Sequence, residues 1–431
     1  MKKPFEGNDA LRAGAILSLF RSGQARTRAD VIRLTGLARS TVTQRLEQLL
    51  AAGLLVPDGA SASTGGRPPT QFKFNATRGV LLTADVGASH LRCALTDLAG
   101  TILAEEASEL DVAAGPLPVL EQVTATFQAL LRERAVAPQM VHGIGISVPG
   151  PVEFATGRVV SPPIMTGWDG FDIPGYFLER FACPTLVDND VNVMAFGEYK
   201  SCWPEHPHML MVKVGTGVGC GIISNGQVLR GAQGAAGDLG HIPYSGDLAN
   251  ETRPPLCRCG NRGCVEAYAG GWALLRDLRA LGHEVHSTYE LVRLIRAGQP
   301  DAVRLAREAA RVLGQAISDA VSLLNPSLVV LGGRLAHADE PLLAGIREVV
   351  YRRSLPLATR TLQITTSRLD IHAGVVGLAL LLGEYLYAPE LVDLALDPPT
   401  SLPPLQSYGP LSGKALAYTL RLLSRDVKEE E

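Results

Sequence analysis

Cys257, Cys259 and Cys264 crowd into one stretch, Cys257-Arg258-Cys259-Gly260-Asn261-Arg262-Gly263-Cys264, downstream of His241. Three thiolates and one imidazole make a closed tetrahedral site for Zn2+, and the intervening glycines permit the tight knuckle such a site needs. The chain holds 7 cysteines, an odd number poorly suited to a disulfide framework, so metal binding in a reducing cytosol is the better reading. A fully ligated ion leaves no open position for hydrolysis. The expected role is therefore structural, fixing the segment that carries Glu266 against the loop that carries Asp238 and His241.

A second group of residues suits anionic or polyhydroxy ligands. Asp85-Val86-Gly87-Ala88-Ser89 follows an apolar run, and its backbone N–H groups and a hydroxyl can meet phosphate. Gly215-Thr216-Gly217-Val218-Gly219-Cys220-Gly221 continues from a strand, and Gly332-Gly333 ends another. Alternating glycines let a backbone approach a ligand closely and Thr216 adds a hydroxyl, although a tight hairpin would use the same residues. Val187-Asp188-Asn189-Asp190-Val191-Asn192 places a polar cluster between an apolar strand and a helix. Strands feeding glycine turns in two half-lobes imply a cleft between them.

The elements that must position these groups follow from periodicity. Short apolar strands are expected over 80–86, 91–96, 101–104 and 143–148, with a helix near 118–134, an α/β pattern. Ahead of this body, residues 11–52 carry three short apolar runs at helical spacing: Leu11, Ala15, Ile16, Leu19 and Phe20; Val31, Ile32 and Leu34; Val42, Leu46, Leu49 and Leu50. Gly23 ends the first helix, Thr27 caps the second with Asp30 in its first turn, and Gly36 makes the turn into the third. On that third helix, expected over 38–52, Ser40 and Gln44 point away from the apolar face. Thr41 and Thr43 flank them, with Arg39 at the helix start and Arg45 on its side. Small hydroxyls, an amide and arginines suit base edges and phosphates in a major groove. Gly65-Gly66-Arg67-Pro68-Pro69 then forms the tip between two strands, with Phe72 and Phe74 alternating on the second. This wing places Arg67 against a minor groove or a phosphate, and the expected partner is double-stranded DNA.

The 431 residues are 46% hydrophobic and 19% charged, too many for one ordinary domain and too apolar for a disordered chain. Formal net charge is −3, yet residues 1–78 hold 12 Lys/Arg against 5 Asp/Glu, a local +7 that leaves −10 for the rest. A basic head on an acidic body suits a head that meets a polyanion. No apolar run follows the basic start, and the most apolar stretch, 375–382, is too short to span a bilayer. Neither a signal peptide nor a membrane partner is expected, and the expected location is the cytoplasm. From 389 onward, Pro398-Pro399, Pro403-Pro404 and Pro410 predict a stiff linker. Leu416, Leu420 and Leu423 predict a tail helix over 414–426 that docks on another subunit or on the body.

Together these residues are similar to the ROK family of bacterial sugar kinases and sugar-responsive transcription factors, over about residues 10–388. The most specific part runs from Gly215 through Gly237-Asp238-Leu239-Gly240-His241 to Cys264-Val265-Glu266. The head resembles the repressor branch, the xylose and N-acetylglucosamine regulators. The resemblance implies an α/β fold: a winged helix-turn-helix over 1–78 and an actin-like pair of ribonuclease-H-type lobes over 79–388. The small lobe would take about 79–188 plus 365–388 and the large lobe about 189–364, leaving 389–431 as linker and tail. It implies that Asn189, Asp190, Asp238, His241 and Glu266 hold sugar hydroxyls, His241 also ligating the zinc. It makes Asp85, Gly87, Ser89, Gly215, Thr216, Gly217, Gly219, Gly332 and Gly333 the counterparts of the kinases' phosphate turns.

Three departures from the kinase pattern stand out. Ala88 and Ser89 replace a Gly-Thr pair, and a Cβ at 88 obstructs close approach to phosphate. Asp238 replaces a Glu one methylene longer, and the gap from His241 to Cys257 is longer than usual. The function expected is a sugar-responsive DNA-binding regulator, a repressor of carbohydrate-metabolism genes acting as a homodimer or homotetramer, with structural Zn2+. The alternative is an ATP-dependent sugar kinase of the glucokinase kind, with Asp190 as general base and Mg-ATP as co-substrate. A third reading makes the body a dimerisation module alone.

Overall fold

The computed structural model describes residues 12–60, 70–246, 254–338, 340–397 and 413–424. It opens with three helices, α1 (Ala13–Arg21), α2 (Arg28–Thr35) and α3 (Arg39–Ala51). The start of α2 is dictated locally. Thr27 Oγ1 accepts the Asp30 N–H at 3.2 Å while Asp30 Oδ2 accepts the Thr27 N–H at 3.0 Å. Such a reciprocal capping box contributes about 1 kcal/mol. Gly36 closes the helix in the left-handed region, φ 72°. Ile16, Leu17, Val31, Val42, Leu46 and Leu49 meet in the head's core. Strands β1 (Leu55–Ala60) and β2 (Thr70–Phe74) pair antiparallel as the two sides of a wing, with Phe72 edge-on to Phe20 at 6.5 Å. Arg67, at the wing tip, lies outside the described residues.

The body repeats one topology twice. Strands β3 (Val80–Val86), β4 (His90–Asp97) and β5 (Ile102–Glu109) form an antiparallel meander. Helix α4 (Pro116–Glu133) returns the chain so that β6 (Val141–Val148) lies parallel to β3. A small hairpin, β7 (Val152–Glu153) with β8 (Arg158–Val159), and α5 (Ile173–Phe181) lead to β9 (Thr185–Asn189), parallel to β6. Helix α6 (Asp190–Cys202) then enters a second meander, β10 (Met209–Val214), β11 (Val218–Ser224) and β12 (Gln227–Val228). Helices α7 (Val265–Ala269), α8 (Gly271–Ala280), α9 (Thr288–Arg296) and α10 (Pro300–Leu324) precede β13 (Leu328–Gly332), parallel to β10. Helices α11 (Glu340–Arg353) and α12 (Pro356–Thr359) precede β14 (Gln363–Thr366).

The sheet orders are β5-β4-β3-β6-β9 and β12-β11-β10-β13-β14. In each, the third, second, first, fourth and fifth strands stand side by side, the duplicated α/β architecture of an actin-like pair of lobes. Strands β3 and β6 are buried along their whole length, the polar Thr83, Asp85, His142 and Ser147 included, as strands covered on both faces are. Helix α13 (Ala373–Leu386) crosses α6 where the lobes join. The crossing is backbone against backbone: a Cβ at Gly377 would lie 1.9 Å from the Val193 carbonyl oxygen, and one at Gly197 would lie 2.8 Å from that of Ala373.

The segment from Pro389, expected as linker, begins instead with a helix, α14 (Pro389–Leu396), with Leu391 and Val392 buried. Pro389 stands in its first turn, where the missing N–H has no partner to lose. The prolines between 398 and 410 lie outside the described residues. Helix α15 (Gly413–Ser424) buries Leu416 and Leu423, with Leu420 packed against the same core as the head. Arg78 Nη2 donates to the Leu422 carbonyl at 2.8 Å, so the tail docks on its own chain. Helix α1 has no capping side chain of its own; Asp393 Oδ1, from α14, accepts the Gly14 N–H at 2.8 Å. Contact there is so close that a Cβ at Gly14 would lie 2.2 Å from the Pro389 carbonyl oxygen. Among the described residues no single helix is long and apolar enough to cross a membrane.

Candidate ligand cleft and metal knuckle

A cleft of ≈ 1240 Å³ opens between the two sheets. Of the residues the sequence nominated, Asp85, Ser89, Asn189, Asp190, Gly215, Thr216, Gly217, Gly219, Asp238, His241, Glu266 and Gly333 line it. Gly87 and Gly332 do not: a Cβ at Gly87 would lie 2.0 Å from the His90 ring, and one at Gly332 would lie 2.2 Å from Met211 Cε. His90 thus covers the first turn, a residue that sequence reasoning passed over. Burial pushes its imidazole below the usual range; Asp85 and Asp190 oppose that, while Lys213 and Arg334 reinforce it. Asp85 is buried and accepts from Ser147 Oγ at 2.7 Å.

Asn189 and Asp190 stand where β9 hands over to α6. Asn189 caps that helix, Oδ1 accepting the Val191 N–H at 3.0 Å and Nδ2 donating to the Gly150 carbonyl at 3.1 Å. Asp190 Oδ2 accepts from Lys213 Nζ at 2.5 Å. Lys213 sits on β10, also unmarked in the sequence. Burial disfavours its ammonium, but Asp190 and Asp85 outweigh burial and hold the lysine above its usual value.

The glycine turn after β10 is tight, with the Gly215 N–H donating to the Gly217 carbonyl at 3.0 Å. None of Gly215, Gly217 and Gly219 takes a left-handed φ. Gly217 and Gly219 are glycines for want of space: a Cβ at Gly217 would lie 2.3 Å from Glu266 Oε2, and one at Gly219 would lie 2.8 Å from Val191 Cγ2, whereas one at Gly215 would come no closer than 3.9 Å to Lys213 Cε. Gly333 does need the left-handed region, φ 81°. Glu266 is buried and spans the site, Oε2 accepting the Val218 N–H at 2.9 Å and Oε1 accepting from Trp272 Nε1 at 3.0 Å. It therefore pins the glycine turn from the side of the knuckle. Asp238 is exposed at the start of the turn that carries His241.

His241, Cys257, Cys259 and Cys264 bring one ligand atom each to within 4.8 Å of one another. Cys259 Sγ and Cys264 Sγ are 3.7 Å apart, and Cys257 Sγ is 3.6 Å from His241 Nδ1. Four ligands on bonds of about 2.0–2.3 Å around a tetrahedral ion have edges of about 3.5–3.8 Å. These separations match that figure and are far too long for a disulfide. Burial pushes the Cys264 thiol up to about 12, with the neighbouring cysteines adding to it, and raises Cys257. A dication among the sulfurs reverses that preference. The donor set and its geometry fit a metal site, and His241 lines the cleft as well.

On the head, Arg39, Ser40 and Gln44 are exposed on α3, while Thr41 and Thr43 are half-buried. Thr43 Oγ1 donates back to the Arg39 carbonyl at 2.8 Å, and Arg45 Nη1 donates to Gln48 Oε1 at 2.8 Å.

A helix-turn-helix head fused to a two-lobed actin-like body with a Cys/His knuckle defines the class of molecule. Residues 81–384 match the ROK family and residues 10–59 match the IclR helix-turn-helix domain. The chain belongs to the ROK family. It is 28% identical over 380 residues to the xylose repressor of Caldicellulosiruptor bescii, covering 84% of this chain and 93% of that one. Among solved structures it is similar to a ROK-family transcriptional regulator described as a homologue of the Escherichia coli MLC protein, with TM-score 0.73, 25% identity, and coverage of 88% of this chain and 97% of that one. It is also similar to a ROK-family glucokinase from Streptomyces griseus in complex with glucose and AMPPNP, with TM-score 0.59, 28% identity, and coverage of 70% and 99%.

Proposed function

We propose that this chain is a sugar-responsive, DNA-binding transcriptional regulator, a repressor of carbohydrate-metabolism genes. A sugar or sugar derivative occupies the cleft, and zinc in the knuckle is structural. The observation that carries the reading is where the head rests. Its core is continuous with α13 and α14, and α13 crosses α6, whose first residue is Asp190. A ligand that favours one lobe arrangement therefore biases the head's position, and about 2–3 kcal/mol of preference is enough to change operator occupancy substantially. One winged head touches little DNA, so two heads of a homodimer on a near-palindrome are the expected binding unit.

Similarity to the xylose repressor supports a pentose or hexose effector, and the exposed Arg39, Ser40 and Gln44 support major-groove contact. The test is duplex binding by the purified chain with and without D-xylose, D-glucose, N-acetyl-D-glucosamine and their phosphates. Gln44→Ala should relax sequence preference at a cost of about 1–3 kcal/mol, and Arg39→Ala and Arg67→Ala should each lower the salt slope by about 0.9. Wild-type DNA affinity in all three variants, or a sugar panel without effect, defeats the reading.

Kinase activity is the second reading, favoured by one observation: Asp190 and the turn at 215–219 line the same cleft, as similarity to a glucose- and AMPPNP-bound glucokinase would require. His90 over Gly87 weighs against a phosphate seat in the first turn. ADP release from Mg-ATP and a sugar, abolished by Asp190→Asn, would establish it.

A further inference from the structure

A largely buried ion pair joins the two lobes. Arg230, just past β12 in the second lobe, donates from Nε at 3.0 Å and Nη2 at 2.6 Å to Asp188 Oδ2. Asp188 lies on β9 of the first lobe, beside Asn189. Its side chain is 2% exposed and that of Arg230 16%. The other carboxylate oxygen, Oδ1, accepts the Asn189 N–H at 2.8 Å and Asn192 Nδ2 at 3.2 Å. One carboxylate therefore holds both the turn that presents Asn189 and Asp190 and the loop that leads to Asp238 and His241.

The contact continues away from the cleft. The Arg230 guanidinium lies over the Phe154 ring at 3.7 Å. Phe154, between β7 and β8, meets the Tyr385 ring at 5.4 Å. Tyr385 is in the last turn of α13, and Tyr387, beside it, packs edge-on against Phe74 of β2 at 5.1 Å. Arg21 of α1 lies over the Tyr387 ring at 5.3 Å. Packed side chains thus run from Asp188 to Tyr385, and the backbone at the end of α13 links Tyr385 to Tyr387, which meets both the first helix and the wing of the head.

We infer that Arg230 is the positioning residue that couples cleft occupancy to the DNA-binding head. The inference rests on the sugar-responsive reading above and names the residue through which that response travels. A partly buried guanidinium bonded twice to one buried carboxylate and stacked on a ring has a single well-defined arrangement, and separating its parts is costly. When a ligand re-aims the end of β9 against the loop at 229–237, Arg230 must follow Asp188. Phe154 and Tyr385 carry that displacement to the turn of α13 on which the head rests. Lysine keeps the charge but offers neither the planar fork nor the stacking face.

The experiment uses the full-length protein with its metal retained, a duplex it selects from a random-sequence pool, and D-xylose, D-glucose, N-acetyl-D-glucosamine and N-acetyl-D-glucosamine 6-phosphate as probes. Sugar affinity by calorimetry and duplex affinity with and without saturating sugar are compared for the wild type, Arg230→Lys, Arg230→Met and Phe154→Leu. A wild-type response of about tenfold should fall to about twofold in Arg230→Met and in Phe154→Leu and be intermediate in Arg230→Lys. Phe154→Leu should keep its sugar affinity and its sugar-free duplex affinity within about twofold of wild type. If Arg230→Met fails to fold, Phe154→Leu decides alone. A full response in either substituted chain, or loss of sugar-free duplex binding in Phe154→Leu, overturns the coupling role. A wild type unresponsive to every probe overturns the sugar-responsive reading itself, a result distinct from a responsive wild type with equally responsive variants.

Discussion

Lys213 Nζ and Asp190 Oδ2 form an ion pair 2.5 Å long at the base of the cleft, with side chains 16% and 7% exposed. The carboxylate that would accept a sugar hydroxyl is thus already paired with a cation from β10. Removing one partner of such a pair leaves a buried charge alone and costs about 3–5 kcal/mol. Lys213→Met should lose stability on that scale at neutral pH, and Lys213→Met with Asp190→Asn should recover most of it. Thermal melts of the wild type and the two variants at pH 7.5 check both points; a Lys213→Met chain as stable as the wild type, or a double variant no more stable than Lys213→Met, would refute the pairing argument.

The knuckle supports the cleft through Glu266, which stands in the first turn of α7, just after Cys264, and holds Trp272. Arg258, between two of the cysteines, stacks over the same Trp272 ring at 5.0 Å. Cys259→Ser should lower bound zinc well below the about one equivalent per chain expected for a closed site. It should also lower the melting temperature and weaken sugar binding, because Glu266 and the turn at 215–219 lose their backing. Elemental analysis of the wild type is the first measurement; a metal-free protein that melts unchanged in the presence of chelator would remove the ion from the account.

Much of this site was legible because its chemistry constrains residue type and spacing. Cys257, Cys259 and Cys264 could be grouped with His241 before any fold was known, and the structure brings all four together. Thr27 and Asp30 announced their capping box in the same way. Lys213, Arg230 and His90 were not legible, since each acts on a partner far along the chain and none belongs to a spaced motif. Lys213 sits in a strand where a lysine also suits an exposed face. The glycines at 217 and 219 were visible as a ligand-approach pattern, yet the nearest occupants of their missing side chains are Glu266 and Val191 of the same chain. The prolines from 398 onward suggested a linker starting near 389, yet Pro389 itself stands in the first turn of a helix, where proline starts a helix rather than breaking one.

The crossing of α6 and α13 depends on two missing side chains. At Gly377 a Cβ would lie 1.9 Å from a backbone oxygen of α6, an atom that cannot rotate away. Gly377→Ala must separate the helices, and overpacking of this kind costs about 1–3 kcal/mol, more when backbone is the obstacle. The same helices join the lobes and carry the head, so the substitution should reduce both the melting temperature and the sugar response of duplex binding. Gly282→Ala is the comparison: nothing lies within 4 Å of the added Cβ, and only its φ of 88° disfavours alanine. It should cost about 1 kcal/mol and leave duplex binding alone. Gly377→Ala chains with wild-type stability would show that the crossing can relax.

Asp393 caps a helix that begins 380 residues earlier in the chain, its Oδ1 on the Gly14 N–H with |i−j| of 379. Burial raises its pKa; the Gly14 N–H, Arg12 and Arg45 pull the other way without cancelling the rise. A carboxyl group whose pKa is higher folded than unfolded contributes stability in acid and loses it as pH rises through the folded value. Asp393→Asn keeps an acceptor for Gly14 but has no charge to bury. The two chains should therefore melt together below about pH 4, where the unfolded carboxyl is also largely protonated. Above that the Asn chain should become the more stable, by about 1.4 kcal/mol for each unit by which the folded pKa is raised. Melting curves from pH 4 to pH 7.5 measure the difference directly. A gap that shrinks as pH rises would mean that the ionised carboxylate, not its neutral form, is what fastens the tail to the head.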